Sequence, residues 1–301
     1  MATRDHDMID LFGYYVSERQ RMWHSRNVLG HVAPWTEDEI LAVGEFANVY
    51  RHLDRGSVYA QSLVKHWDVV RREVLAQKLF KLVVYRFFNR IDVLMEIEPF
   101  LDLWDLSASN IEIEREVMYS IESRRRLGLG LYEHVYSTPP FTVSNPASEA
   151  GLCIAAMNVM YMLAFNLLVT IVPANGGLVQ VGADTVAEGI RRMYSVAQIG
   201  RDIGFNVALD MVQAGMIPAS CVEIVLSDSV IDGLTLMGLE ISAESLDWLY
   251  NSQVQLFGND MPWADNRVLS VFDIQHAVGE FARYVRALGD GHFRIWEPSI
   301  L

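Results

Sequence analysis

The chain has 301 residues, 51% of them hydrophobic and 21% charged, with a formal net charge of −14 at neutral pH. That balance excludes a disordered polymer, and its bulk charge argues against nucleic acid as a partner. Nine prolines, two cysteines and few stretches of apolar–polar alternation exclude a disulfide scaffold and point to an all-α protein.

In chain order, residues 7–27 read as a helix, with Leu11, Tyr14, Tyr15, Met22 and Trp23 near helical spacing. The loop "GHVAPW" ends it. Thr36 then reads as an N-cap, with Glu37, Asp38 and Glu39 in a first turn where the helix dipole favours acids. One helix is expected to continue to Arg55, burying Ile40, Leu41, Val43, Phe46, Ala47, Tyr50 and Leu53. Its polar face carries Asn48, Arg51 and Arg55 at i, i+3 and i+7, with Asp54 placed to orient Arg51. The bland alternative is a surface Arg–Asp pair worth about 0.3–0.5 kcal/mol.

Further helices are expected at 57–68, 70–90, 92–104 and 108–124. Residues 48–90 hold nine basic groups against three acids, a local charge of +6 on an acidic chain. Within that segment Arg71 and Arg72, and beyond it the run Arg124, Arg125 and Arg126, are candidate phosphate contacts. The stretch 128–146 breaks the helical pattern, has room for a short hairpin, and marks a seam. A single two-lobed domain follows, with an N-terminal lobe of about 1–127 and a C-terminal lobe of about 147–301.

Residues 152–172 are uncharged, long enough to cross a membrane. Asn158, Asn166 and the lack of basic flanks favour a buried central helix and no membrane. Glycines 200 and 204 resemble the turn of a helix–hairpin–helix, which offers backbone N–H groups to a DNA phosphate. Helices are then expected near 242–256 and 270–289. In the last one Asp273, His276, Glu280 and Arg283 fall at i, i+3, i+7 and i+10, one face. A His–Glu pair at i, i+4 suits proton transfer, the acid raising the imidazole pKa. A structural contact is its bland alternative.

No Walker loop, dinucleotide fingerprint or HExxH occurs, and Cys153 and Cys221 lack metal-ligand spacing, so no metal site is expected. No basic, apolar leader opens the sequence, so the expected location is the cytoplasm, with both thiols buried and reduced.

Three blocks between residues 34 and 291, "APWTEDEIL…EFANVYRHLDRGS", "LFKLVVYRFFNRIDVL" and "FDIQHAVGEFARYVRALGDG", resemble the alpha-glutamyl/putrescinyl thymine pyrophosphorylase family. In the central region "GFNVALDMV" and "LSDSVIDGL" depart from that family's pattern. The resemblance implies a helical, DNA-glycosylase-like fold related to helix–hairpin–helix proteins. It implies a transferase of DNA base hypermodification, in the host cytoplasm if phage-encoded, with no prosthetic group and the question of a divalent metal open. The implied substrate is double-stranded DNA with 5-hydroxymethyluracil already pyrophosphorylated by a separate DNA base kinase. The amine of an amino acid or polyamine then displaces pyrophosphate.

That chemistry gives the flagged residues roles. Arg51 and Arg55, beside Asn48, would stabilise the leaving pyrophosphate, with Asp54 orienting Arg51. Trp35 and Tyr50 would stack a flipped base. His276 with Glu280, or Asp38, would take the amine's proton, and Arg86 or Arg283 would receive an amino acid's carboxylate. Arg51 and His276 lie more than 220 residues apart, so the two ends of the chain must meet. The competing class is a DNA glycosylase or a non-catalytic DNA-binding relative, with Asp228 as the glycosylase carboxylate.

Overall fold

A computed structural model describes residues 6–68, 71–105, 110–133, 145–171, 183–194, 200–258, 261–264 and 267–290. They form α1 (His6–Asn27), α2 (Glu39–Val43), α3 (Arg55–Val64), α4 (Arg72–Phe88), α5 (Ile91–Leu101), α6 (Ile111–Arg126), α7 (Pro146–Ile171), α8 (Ala183–Tyr194), α9 (Gly200–Gln213), α10 (Asp228–Leu236), α11 (Ala243–Phe257) and α12 (Val271–Asp290). No strand occurs among the described residues, and the chain is all-α.

Two units divide these helices. The first joins the residues up to Asp54 with those from Leu226 onward, and the second is Arg55–Val225. This partition by packing differs from a division into lobes of about 1–127 and 147–301. The hairpin expected near 128–146 falls largely on 134–144, outside the described residues.

In the first unit α12 is the central helix, packed by α1, α2, α10 and α11. Its inward positions recur at helical spacing, so Ile274, Ala277, Val278, Phe281 and Tyr284 are all buried. Phe281 meets Phe12 edge-on at 5.3 Å, and Tyr284 lies 5.2 Å from Tyr15. Gly233 of α10 faces the Val278 carbonyl of α12, and Gly279 of α12 faces Ser229. Glycine at both places lets the two backbones approach.

In the second unit α4 and α7 form the middle. α7 packs on α4, α6 and α8, while α4 also meets α3, α5 and α9. By length and composition α7 could cross a membrane, a test that core helices also pass. One of its asparagines, Asn158, donates to Glu114 Oε1 at 2.9 Å. Cys153 and Cys221 are free and buried, and burial pushes the Cys153 thiol up to about 12.

Two local expectations need correction. The helix expected from Thr36 to Arg55 is broken: α2 spans five residues, 44–50 is non-helical, and Arg51–Leu53 is a 3-10 turn. The cap is Asp38 rather than Thr36, its Oδ1 accepting the Ile40 and Leu41 N–H groups at 2.9 Å. Gly204 lies inside α9 rather than in a turn, and 195–199 is outside the described residues.

Candidate active site

In the non-helical strip 44–50 and the turn after it, the Ala47 and Arg51 N–H groups reach side-chain acceptors. The first unit supplies partners from one face of α12. Glu280 Oε2 accepts the Ala47 N–H at 2.8 Å, and Asp273 Oδ1 accepts the Arg51 N–H at 2.8 Å. Asn48 closes the turn by donating to the Leu53 carbonyl at 2.8 Å. The face expected from spacing, Asp273–His276–Glu280–Arg283, is therefore the face against which residues 45–51 are fastened.

Asp273 has further work. Ser270 and Asp273 form a reciprocal capping box at the start of α12. The Ser270 N–H donates to Asp273 Oδ2 at 2.9 Å, and the Asp273 N–H donates to Ser270 Oγ at 3.2 Å. Glu280 is equally committed, accepting both oxygens' bonds from Arg283 Nη1 at 2.8 and 3.0 Å. Arg283 also donates to the Glu45 carbonyl at 3.0 Å.

His276 stands between these two acids on the same face, half-buried as a residue. Arg51 is 8% exposed. Burial and then the positive charge of Arg51 hold the His276 pKa below its ordinary value, against the pull of Glu280, Asp54 and Asp273. The rise expected from Glu280 is thus outweighed, and the imidazole is neutral at pH 7. A neutral imidazole within electrostatic reach of a buried guanidinium has the chemistry of a base next to an anion stabiliser.

The other flagged residues divide clearly. Asp38 receives Tyr284 OH at 2.6 Å and Tyr14 OH at 3.3 Å besides its two capping bonds. These four donors make it a structural anchor, a correction to its candidacy as base. Burial and Asp38 push the Tyr14 hydroxyl up to about 12. Tyr50 is fully buried, its hydroxyl donating to the Arg267 carbonyl and Arg267 lying 5.0 Å over its ring, so it presents no face to an incoming base. Trp35 sits in the α1–α2 loop, donating to the His31 carbonyl at 2.8 Å with Arg26 over its ring at 5.4 Å.

Arg55, Arg71, Arg72, Arg86 and Arg124–Arg126 belong to the second unit. Arg86 is already paired: Nε and Nη2 clasp the two oxygens of fully buried Asp210 at 2.6 and 2.7 Å. That removes it as the receiver of a substrate carboxylate. The Arg124–Arg126 run is likewise spent on acids. Arg124 pairs with Asp92 and Glu96 at 2.6 and 2.9 Å, Arg125 with Glu149 at 2.6 Å, and Arg126 with Glu122 at 2.8 Å. Arg71, exposed at the N-cap of α4, and Arg72 after it remain the candidate phosphate contacts. Asp228, the glycosylase alternative, is exposed in the first turn of α10. Among the described residues no group of three or more His, Cys, Asp or Glu could hold a metal ion.

Sequence reasoning passed over Asp273 as a fastener and Arg267 altogether. The "SVFD" capping box was a usable signal for the first; nothing local marks the second.

Comparison with known proteins gives the family. The model of the 5-hmdU DNA kinase, helical domain, matches residues 6–291. A curated relative, the 5-hmdU DNA kinase of Bacillus phage SP10, is 22% identical over 211 residues, 67% of this chain. The chain covers 30% of that relative's length. No solved structure matches it.

Proposed function

This chain belongs to the 5-hmdU DNA kinase helical-domain family, and from that premise we propose that it acts on 5-hydroxymethyluracil in DNA as a base-modifying transferase. The substrate would be double-stranded DNA whose hydroxymethyl group a separate kinase has pyrophosphorylated. The nitrogen of an amino acid or polyamine forms a bond to the exocyclic methylene carbon. The carbon–oxygen bond to pyrophosphate breaks, and pyrophosphate leaves with both electrons. The proton shed by the amine passes to His276, while Arg51 meets the charge developing on the leaving oxygen. Such a reaction belongs where the DNA is, in the host cytoplasm for a phage protein.

The observation that carries the reading is that Glu280 and Asp273 of α12 fasten the Ala47 and Arg51 N–H groups, which brings Arg51 to the helix that bears His276 from more than 200 residues away. Glu280 and Asp273 serve it as positioning residues, because their oxygens are occupied by backbone N–H groups and neighbouring cations. The motif resemblance to thymine pyrophosphorylases supports the specific step. The family name supports the shared base.

A second reading is favoured by that name itself: a helical module that binds DNA while phosphoryl transfer happens on another domain. This sequence carries no Walker loop of its own. One experiment separates the readings. The purified protein is incubated with DNA carrying 5-(pyrophosphoryloxymethyl)uracil and a pool of amino acids and polyamines, and digested nucleosides are identified by mass spectrometry. Aminomethyl-substituted deoxyuridine with released pyrophosphate is expected, falling about 100-fold or more in Arg51→Ala. Abasic sites would mean a glycosylase. Bound but unaltered DNA would mean the accessory module.

A further inference from the structure

Arg267 is 41% exposed at its side chain, yet its guanidinium is held at three points. Nη1 lies 3.3 Å from Asp273 Oδ2, Nη2 lies 2.7 Å from His52 Nδ1, and the group covers the Tyr50 ring at 5.0 Å. Pinning a long side chain at the surface sacrifices rotamer freedom, so a merely solvated arginine is not held this way. Asp273 does not require it. That carboxylate already accepts the Arg51 N–H, the Ser270 N–H and the Ser270 hydroxyl.

A guanidinium only donates, so His52 Nδ1 is the acceptor in this contact and helps hold the Arg267 side chain in place. The neighbouring residue in the turn is Arg51, whose own N–H sits on the other oxygen of Asp273. One buried acid therefore arranges two arginines, the first through its main chain and the second through its side chain.

We propose that Arg267 is the second cation of a diphosphate site, acting with Arg51 and positioned by Asp273 and His52. The inference rests on the transferase reading and names a partner for Arg51 that the sequence pattern had assigned to Arg55, a residue of the other unit. Arg51, beside His276, is the buried cation; Arg267 is the accessible one that meets the pyrophosphate first. A pair of guanidiniums suits a diphosphate because each can fork onto two oxygens.

The test is calorimetric titration of the whole protein with inorganic pyrophosphate at low ionic strength. Wild type should bind. Arg267→Ala should weaken binding about 10-fold or more, and Arg267→Lys should restore it only in part, since a point charge cannot fork. Arg286→Ala, which removes an exposed cation paired with Asp232, should bind as wild type does. Thermal melts by circular dichroism check that each variant is folded. If Arg267→Ala binds like wild type, or loses no more than Arg286→Ala, the second-cation inference is overturned while the transferase reading stands. If wild type itself fails to bind pyrophosphate, the transferase reading falls and takes the inference with it.

Discussion

At His276 three carboxylates, Glu280, Asp54 and Asp273, favour the imidazolium and lose to burial and Arg51. The sign of the resulting pH effect is fixed. Below the ordinary imidazole range the unfolded chain takes up a proton that the folded site refuses, so stability falls as pH drops through that range toward the lowered folded pKa. Above it the contribution is complete. Urea denaturation at about pH 8 and about pH 5.5 should show a larger loss for wild type than for His276→Gln. Parallel losses in the two proteins would mean that the ring titrates as it does in water. Arg86 and Asp210 illustrate the opposite lesson at the same scale. A bidentate pair nearly sealed from solvent is a commitment of the fold, because removing one partner strands a buried charge.

At the scale of elements, the contact of α10 with α12 sets two rules against each other. Alanine is the better helix former by roughly 1 kcal/mol, yet a Cβ at Gly233 would run into the Val278 backbone. Gly233→Ala should therefore cost about 1–3 kcal/mol. Gly151→Ala in α7, where a Cβ meets nothing within 4 Å, should gain about 0.4–1 kcal/mol. Denaturant titrations of the two variants decide it; equal signs would reject the steric account. The helices themselves were readable in advance wherever their hydrogen bonds are local. The 242–256 and 270–289 expectations fall within a residue or so of α11 and α12. The Asp273–Arg283 face survived because α12 is continuous. The 36–55 helix did not, although its apolar spacing looked helical. Its backbone N–H groups at Ala47 and Arg51 find acceptors more than 200 residues away, on Glu280 and Asp273, and no local pattern records such a bond. Arg267 was hidden for a related reason, since His52 and Tyr50, two of its three partners, lie more than 200 residues away.

For the molecule as a whole, the net charge of −14 and the acids paired with Arg124, Arg125 and Arg126 leave little long-range attraction for a polyanion. Affinity for unmodified duplex should accordingly be weak and should fall steeply with added salt. Arg71→Glu with Arg72→Glu should weaken it to a similar degree on every sequence, as phosphate contacts carry no base information. Fluorescence anisotropy across a salt series measures both effects. Binding indifferent to salt and to these substitutions would put the duplex on some other surface.

The discontinuity of the first unit bears on how the protein is made. A ribosome releases the strip that ends at Asp54 long before it releases the carboxylates of α12, with all of Arg55–Val225 synthesised in between. At about 5–20 residues per second that interval is roughly ten to forty-five seconds. Throughout it the amides of Ala47 and Arg51 have only water for partners, and Phe12, Tyr15 and Phe46 have no Phe281 or Tyr284 to cover them. The inserted unit has its contacts within one continuous stretch and is free to fold first. The nascent chain thus carries an open, aromatic half-core until α12 supplies Phe281 and Tyr284, and the interval before closure is when aggregation or chaperone capture would compete with assembly of the site.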